Sequence, residues 1–145
     1  MRKLQKDQKG FTIIEVLIVL AIAGLIMLIV FIAVPQLQRN QRNSARNNDA
    51  NLITSAISEC LTNRNGVQTS CQAIGANAVT LPGNLNQVTT ATYGAGTGST
   101  TAATWVFGVT CSADGSATAA GTARQFAVRF QVEGSNGNSD RCLGA

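Results

Sequence analysis

The chain has 145 residues, 45% hydrophobic and only 12% charged, with a formal net charge of +4, four cysteines and no histidine. Its three lysines (Lys3, Lys6 and Lys9) all lie in the first ten residues; beyond them seven arginines meet six acids, a balance of +1 that gives no warrant for direct nucleic-acid binding. With no His, no later Lys, no C-x-x-C pair and no P-loop, G-x-S-x-G or dinucleotide fingerprint, general-base, Schiff-base and zinc chemistry have almost no candidates, so no enzyme, metal site or cofactor is expected.

Residues 1–10 read as a basic leader, in which Arg2, Lys3, Lys6 and Lys9 outweigh Asp7 and favour a cytoplasmic N-terminus. Arg39, Arg42 and Arg46, beyond the next segment, oppose that bias. Lys9-Gly10-Phe11-Thr12-Ile13-Ile14-Glu15 then passes without a break into the apolar run Val16 to Val34. As a helix, Phe11 to Val34 would extend about 36 Å at roughly 1.5 Å per residue, longer than the ~30 Å hydrocarbon core of a bilayer. An ordinary secretory signal has its small-residue cleavage site after the apolar stretch, where Ala33-Val34-Pro35 makes a poor one. Gly10, before the stretch, is the better candidate. Cutting there leaves the apolar helix on the mature chain, with an α-amine on Phe11. Glu15 then stands one turn inside a membrane-length helix. A carboxylate at the centre of such a helix costs roughly 2.5–3.5 kcal/mol, and the N-terminal position and helix dipole soften that cost.

These residues closely resemble the N-terminal signature of type IV pilins and pseudopilins, the class III signal cut after Gly by a prepilin peptidase. The resemblance covers about the first third of the chain. It implies N-methylation of Phe11 and a Glu15 that recruits the next subunit by neutralising its α-amine, an attraction much stronger in a dry helix bundle than in water. It also implies a single-pass precursor in the inner (cytoplasmic) membrane and an extracellular pilus once assembled. The partners would be further copies of the chain, the prepilin peptidase, an assembly ATPase and a membrane platform protein, and the pilus would serve adhesion to surface or host-cell targets, twitching motility or DNA uptake. A pseudopilin of a secretion system shares the whole signature; a minor, tip-located pilin is a further reading, and the presence of Glu15 leans towards a bulk subunit. Many major pseudopilins carry a C-terminal calcium site, for which Asp140 with Glu133 is thin material, since calcium takes six to eight oxygen ligands. An uncleaved, signal-anchored surface binding domain is the reading from another class, and it leaves Glu15 and the Gly10-Phe11 junction as coincidences.

Residues 35–65 continue the helix in a different character. Pro35 cannot donate to the Phe31 carbonyl, so a kink or irregular turn is expected there. The family commonly has its proline about three residues earlier, whereas Gly24 matches the usual glycine and is the other weak point. Gln36 to Asn51 is very polar, a weak helix by propensity. Ile53, Ala56, Ile57, Cys60 and Leu61 follow at i, i+3, i+4, i+7 and i+8, an apolar face able to pack on a sheet, and Arg64 with Asn65-Gly66 supplies a stop. One long helix to about Asn63, or two helices with a polar joint, both fit this pattern.

Residues 66–145 are rich in small polar residues. Val79 to Leu81 and Gln87 to Tyr93 are weak strand candidates, and Tyr93 to Thr104 reads as a flexible loop. Trp105 to Cys111 and Arg124 to Val132 alternate clearly, the first with Trp105, Phe107, Val109 and Cys111 on one face, the second with Phe126, Val128, Phe130 and Val132. They read as two half-buried antiparallel strands joined by the loop Ser112 to Ala123. Cys60, Cys71, Cys111 and Cys142 all lie beyond the apolar segment and allow three pairings. Cys60 with Cys71, closing a short loop after the helix, and Cys111 with Cys142, tying the tail to a strand, is the favoured set; the second resembles the C-terminal disulfide loop of many pilins. The expected fold is α+β, a long N-terminal helix carrying a small antiparallel sheet, as the resemblance also implies.

Overall fold

The computed structural model describes residues 10–75 and 77–144, so all of the basic leader except Gly10 lies outside it. Helix α1 spans Ile13–Asn63, and the chain forms two compact units that meet in sequence at Gln38 and Arg39, a stem and a head. No turn interrupts α1 at Gly24 or Pro35, which corrects the expectation of a break. Proline removes one intrahelical bond, and the bonds of neighbouring residues keep the helical state. The helix stops where expected: Asn65 (φ 53°) and Gly66 (φ 81°) take left-handed conformations, and the Gly66 N–H donates to the Leu61 carbonyl at 2.8 Å.

Within the head, a 3₁₀ turn at Gln68–Cys71 precedes six strands: β1 (Thr90–Tyr93), β2 (Ala102–Phe107), β3 (Val109–Cys111), β4 (Thr118–Ala120), β5 (Phe126–Gly134) and β6 (Gly137–Gly144). The main sheet has the order β1-β2-β5-β6, and β3 pairs with β4 in a separate hairpin. It is mixed, not purely antiparallel as the sequence suggested, because β1 runs parallel to β2 with Thr90 beside Ala102 and Tyr93 beside Trp105. The loop 94–101 returns the chain along the sheet, and its Ser99 carbonyl accepts from the Gln131 N–H of β5 at 3.0 Å. The expected flexible loop therefore ends at Thr101, and Ala102 to Thr104 begin β2.

Glycine and proline account for the other departures. Gly108 (φ 75°) ends β2, so Trp105 to Cys111 is two strands in two sheets, with Val109 and Cys111 only half-buried. The expected loop after Cys111 contains β4. Val79 forms only a single bridge with Ile74, and Pro82, which has no N–H, follows close behind. The Gln87–Tyr93 candidate shortens to β1 because the N–H groups of Gln87 and Val88 are taken by a side chain of α1. β6 has no counterpart among the sequence expectations: Gly-Asn-Ser-Asp-Arg-Cys-Leu-Gly has no alternating pattern, and it becomes a strand by pairing with β5 across a two-residue turn, Gly134 opposite Gly137.

Ile53, Ile57 and Cys60 of α1 share one core with Trp105, Phe107, Phe126, Val128 and Phe130, while Ala56 and Leu61 pack at its margin, as the helical spacing predicts. Each fully buried Ile or Phe is worth roughly 1.5–3 kcal/mol. Trp105 donates its indole N–H to the Cys71 carbonyl at 3.1 Å. The favoured disulfides are both present, Cys60–Cys71 and Cys111–Cys142, with Cα separations of 6.0 and 5.6 Å.

Gly98 (φ 73°) sits where the return loop lies closest to the sheet: a Cβ there would stand 2.6 Å from the Arg129 carbonyl oxygen and 2.8 Å from that of Ala102. Gly98→Ala should therefore cost about 2 kcal/mol or more. Urea unfolding followed by the emission of Trp105, the chain's single tryptophan, measures this, and an unchanged midpoint would contradict the close approach.

Candidate functional site

The stem begins with Gly10 and Phe11, both exposed, Phe11 at 84%. Thr12 caps α1: its hydroxyl accepts from the Glu15 N–H at 3.3 Å and its carbonyl from the same N–H at 3.1 Å. Thr-Ile-Ile-Glu has the spacing of a capping box, a signal that the sequence reading passed over. Only half of the box forms. No hydrogen bond reaches the Glu15 carboxylate among the described residues, so it stands free one turn from the Gly10-Phe11 junction. Above it, every large apolar side chain from Ile13 to Val34 is at least 41% exposed. Ile13 to Val34 has the length of a membrane span, about 33 Å at roughly 1.5 Å per residue. Apolar surface of this extent is stable only against lipid or another apolar surface.

The head holds its part of α1 through a polar anchor that the sequence did not reveal. Arg46 and Asp49 are buried at 4% and 0% exposure. The Asp49 carboxylate accepts from three successive backbone N–H groups, Asn86 at 3.1 Å, Gln87 at 2.6 Å and Val88 at 2.9 Å. Arg46 donates to the Thr100 carbonyl at 3.0 Å and to Glu133 at 2.7 Å, and Arg42 adds a two-nitrogen contact to the same carboxylate, the closer at 2.5 Å. Asn43 donates to the Glu133 carbonyl and accepts from its N–H, both at 2.8 Å. One edge of β5 is thus completed in turn by β2 at Arg129, by the loop carbonyl of Ser99 at Gln131, and by a helix amide at Glu133. The available signal was positional: Arg42, Arg46, Asp49, Ile53 and Ile57 follow one helical face.

A family model described as the prokaryotic N-terminal methylation motif matches residues 5–31. The chain carries a class III signal, the kind found on type IV pilins. No curated protein and no solved structure matches it. The class III signal takes in Gly10, Phe11, Glu15 and Gly24 and most of the exposed apolar stretch, and residues 5–31 fit a membrane-anchored precursor of pilin-like or pseudopilin type. Pro35, the cysteines and the polar anchor lie beyond the match.

Two outcomes test the anchor. Asp49→Ala leaves three inward-facing N–H groups without an acceptor and should cost about 3 kcal/mol or more by denaturant unfolding, whereas an exposed Asn51→Ala should cost less than about 1. The hydrogen bonds from Arg42 and then Arg46 lower the Glu133 carboxyl from 4.5 to about 2. A group depressed on folding stabilises fully above its unfolded value and loses that contribution as pH falls through the folded one. Head stability should therefore decline as pH falls from 4.5 towards about 2, and Glu133→Gln should flatten that slope. The remaining slope includes Asp114, lowered to about 2 by the hydroxyls of Ser112 and Ser116. A Glu133→Gln profile parallel to the parent's would contradict this assignment.

Proposed function

We propose that the chain is a structural subunit, the major pilin, of a type IV pilus, and that it performs no catalysis. The supporting observation is the pairing of a Glu15 carboxylate that has no hydrogen-bond partner among the described residues, one turn from Phe11, with a stem whose large apolar side chains are all open. In the precursor, lipid would cover that stem, with the N-terminus on the cytoplasmic side. Prepilin peptidase would cut after Gly10 and the Phe11 amine would be methylated. In the filament the stems would cover one another, and the Phe11 amine of one copy would meet the Glu15 carboxylate of the next where water is excluded and the attraction is strong. An assembly ATPase and a platform protein would drive the exchange from lipid to filament, and the pilus would serve adhesion, twitching motility or DNA uptake.

The alternative of a calcium-binding pseudopilin finds less support in the head. Both acids near the C-terminus are already engaged, Glu133 by Arg42 and Arg46 and Asp140 by the Gln131 amide at 2.9 Å. At Glu133 a cation would have to displace two arginines that hold both carboxylate oxygens.

Intact-mass spectrometry of protein sheared from cell surfaces tests the reading. The expected species starts at N-methylated Phe11 and is lighter by the four hydrogens of two disulfides. A chain still starting at Met1, or absence from the sheared fraction, would remove the pilus assignment. Glu15→Ala should be cleaved normally yet leave the sheared fraction at least tenfold depleted; undiminished pili would remove Glu15 from assembly.

A further inference from the structure

The head contains five acids, and four are engaged within it. Asp49 is held by backbone N–H groups, Asp114 by Ser112 and Ser116, Glu133 by Arg42 and Arg46, and Asp140 by Gln131. Glu59 is different: it is exposed, and among the described residues no side chain or backbone donor reaches its carboxylate. It borders a cleft of about 80 Å³ lined by Ala56, Glu59, Cys60, Asn63, Ala78 and Thr80. Asn63 lies one helical turn beyond Glu59, which places an amide beside the carboxylate.

The size and acceptors of this cleft select a ligand. Small-molecule sites usually enclose roughly 300 Å³ or more, several times this volume. A calcium ion needs six to eight oxygens, and no group of three His, Cys, Asp or Glu converges among the described residues. A guanidinium fits better: its planar fork of five donors can meet one carboxylate together with the amide and hydroxyl oxygens of Asn63 and Thr80. The chain supplies the complement itself. With no lysine after Lys9, every cation of the head is an arginine, and Arg39, Arg124 and Arg141 are exposed without an acceptor among the described residues.

We propose that the Glu59 cleft receives an arginine guanidinium from a second copy of this chain. Donor and acceptor are different residues, so the contact is heterologous, and a heterologous contact that does not close into a ring propagates as a filament. The inference rests on the filament reading above and adds, in the head, a second charge contact to the Phe11–Glu15 pairing of the stems, which shares in fixing the register between copies.

The test is a charge swap in the full chain expressed in its own host. Glu59→Gln and Glu59→Lys should fold as the parent does, judged by non-reducing migration and Trp105 emission, and lower the sheared fraction about tenfold or more. Combining Glu59→Lys with one of Arg39→Glu, Arg124→Glu or Arg141→Glu should restore it. Both single variants assembling like the parent, or no double variant restoring assembly, would overturn the contact. So would parent assembly that is lost in chelator and regained with calcium. A photo-crosslinking residue at Asn63 gives a readout that does not need filaments: the expected product has doubled mass and joins Asn63 to a peptide containing Arg39, Arg124 or Arg141. If the parent is missing from the sheared fraction while this product forms in membranes, the filament reading fails and the contact stands; a parent in the sheared fraction without this product sinks the contact alone.

Discussion

The head depends on one buried carboxylate. An acid at 0% exposure with no ion-pair partner among the described residues is costly unless hydrogen bonds replace its lost water, and for Asp49 three backbone N–H groups do so. That arrangement satisfies both sides at once. The segment Asn86 to Val88 has N–H groups with no strand to receive them, and the helix has a polar residue on its inward face. Each makes the other tolerable in the interior, and β1 can begin only after Val88, where the carboxylate has finished with the backbone.

Arg46 and Asn43 extend the same logic towards the N-terminal end of the head. There β2 ends before β5 does, and beyond the loop carbonyl of Ser99 the Asn43 side chain of α1 takes the position at Glu133 that a strand would have filled. An amide that both donates to and accepts from one residue's backbone reproduces what a neighbouring strand offers. The helix is therefore part of the sheet's hydrogen bonding as well as part of its core, and β5 has less open edge on that side to pair with other chains.

The legible parts of the sequence were those written in apolar periodicity or in a short motif. Ile53, Ile57 and Cys60 declared their face by spacing, Phe126 to Val132 by alternation, and Lys9 to Glu15 by a junction that few other processes would produce. What failed was polar or relational. Gln36 to Asn51 looked like an indifferent helix because its value lies in matching Glu133, Thr100 and Asn86, none of which is near it in sequence. β6 has no pattern of its own and is a strand only because β5 is. Gly108 looked like one more residue of a continuous alternation, and its positive φ, which splits that run between two sheets, is a property of the backbone that no hydrophobic pattern encodes.

The Asn43–Glu133 pair joins residues 90 apart in the chain. Pairings of such long range close late in folding, because the loop between their ends must be ordered before they are rewarded. Cys60 and Cys71 are only 11 residues apart, whereas the hydrogen bonds of the helix to β5 must await a strand 90 residues further along the chain. Until then Arg42, Asn43 and Arg46 lack Glu133, while Asp49 can already meet the N–H groups of Asn86 to Val88. A copy in which β5 has not yet docked thus lacks the partners of Arg42 and Asn43 even where those of Asp49 are in place.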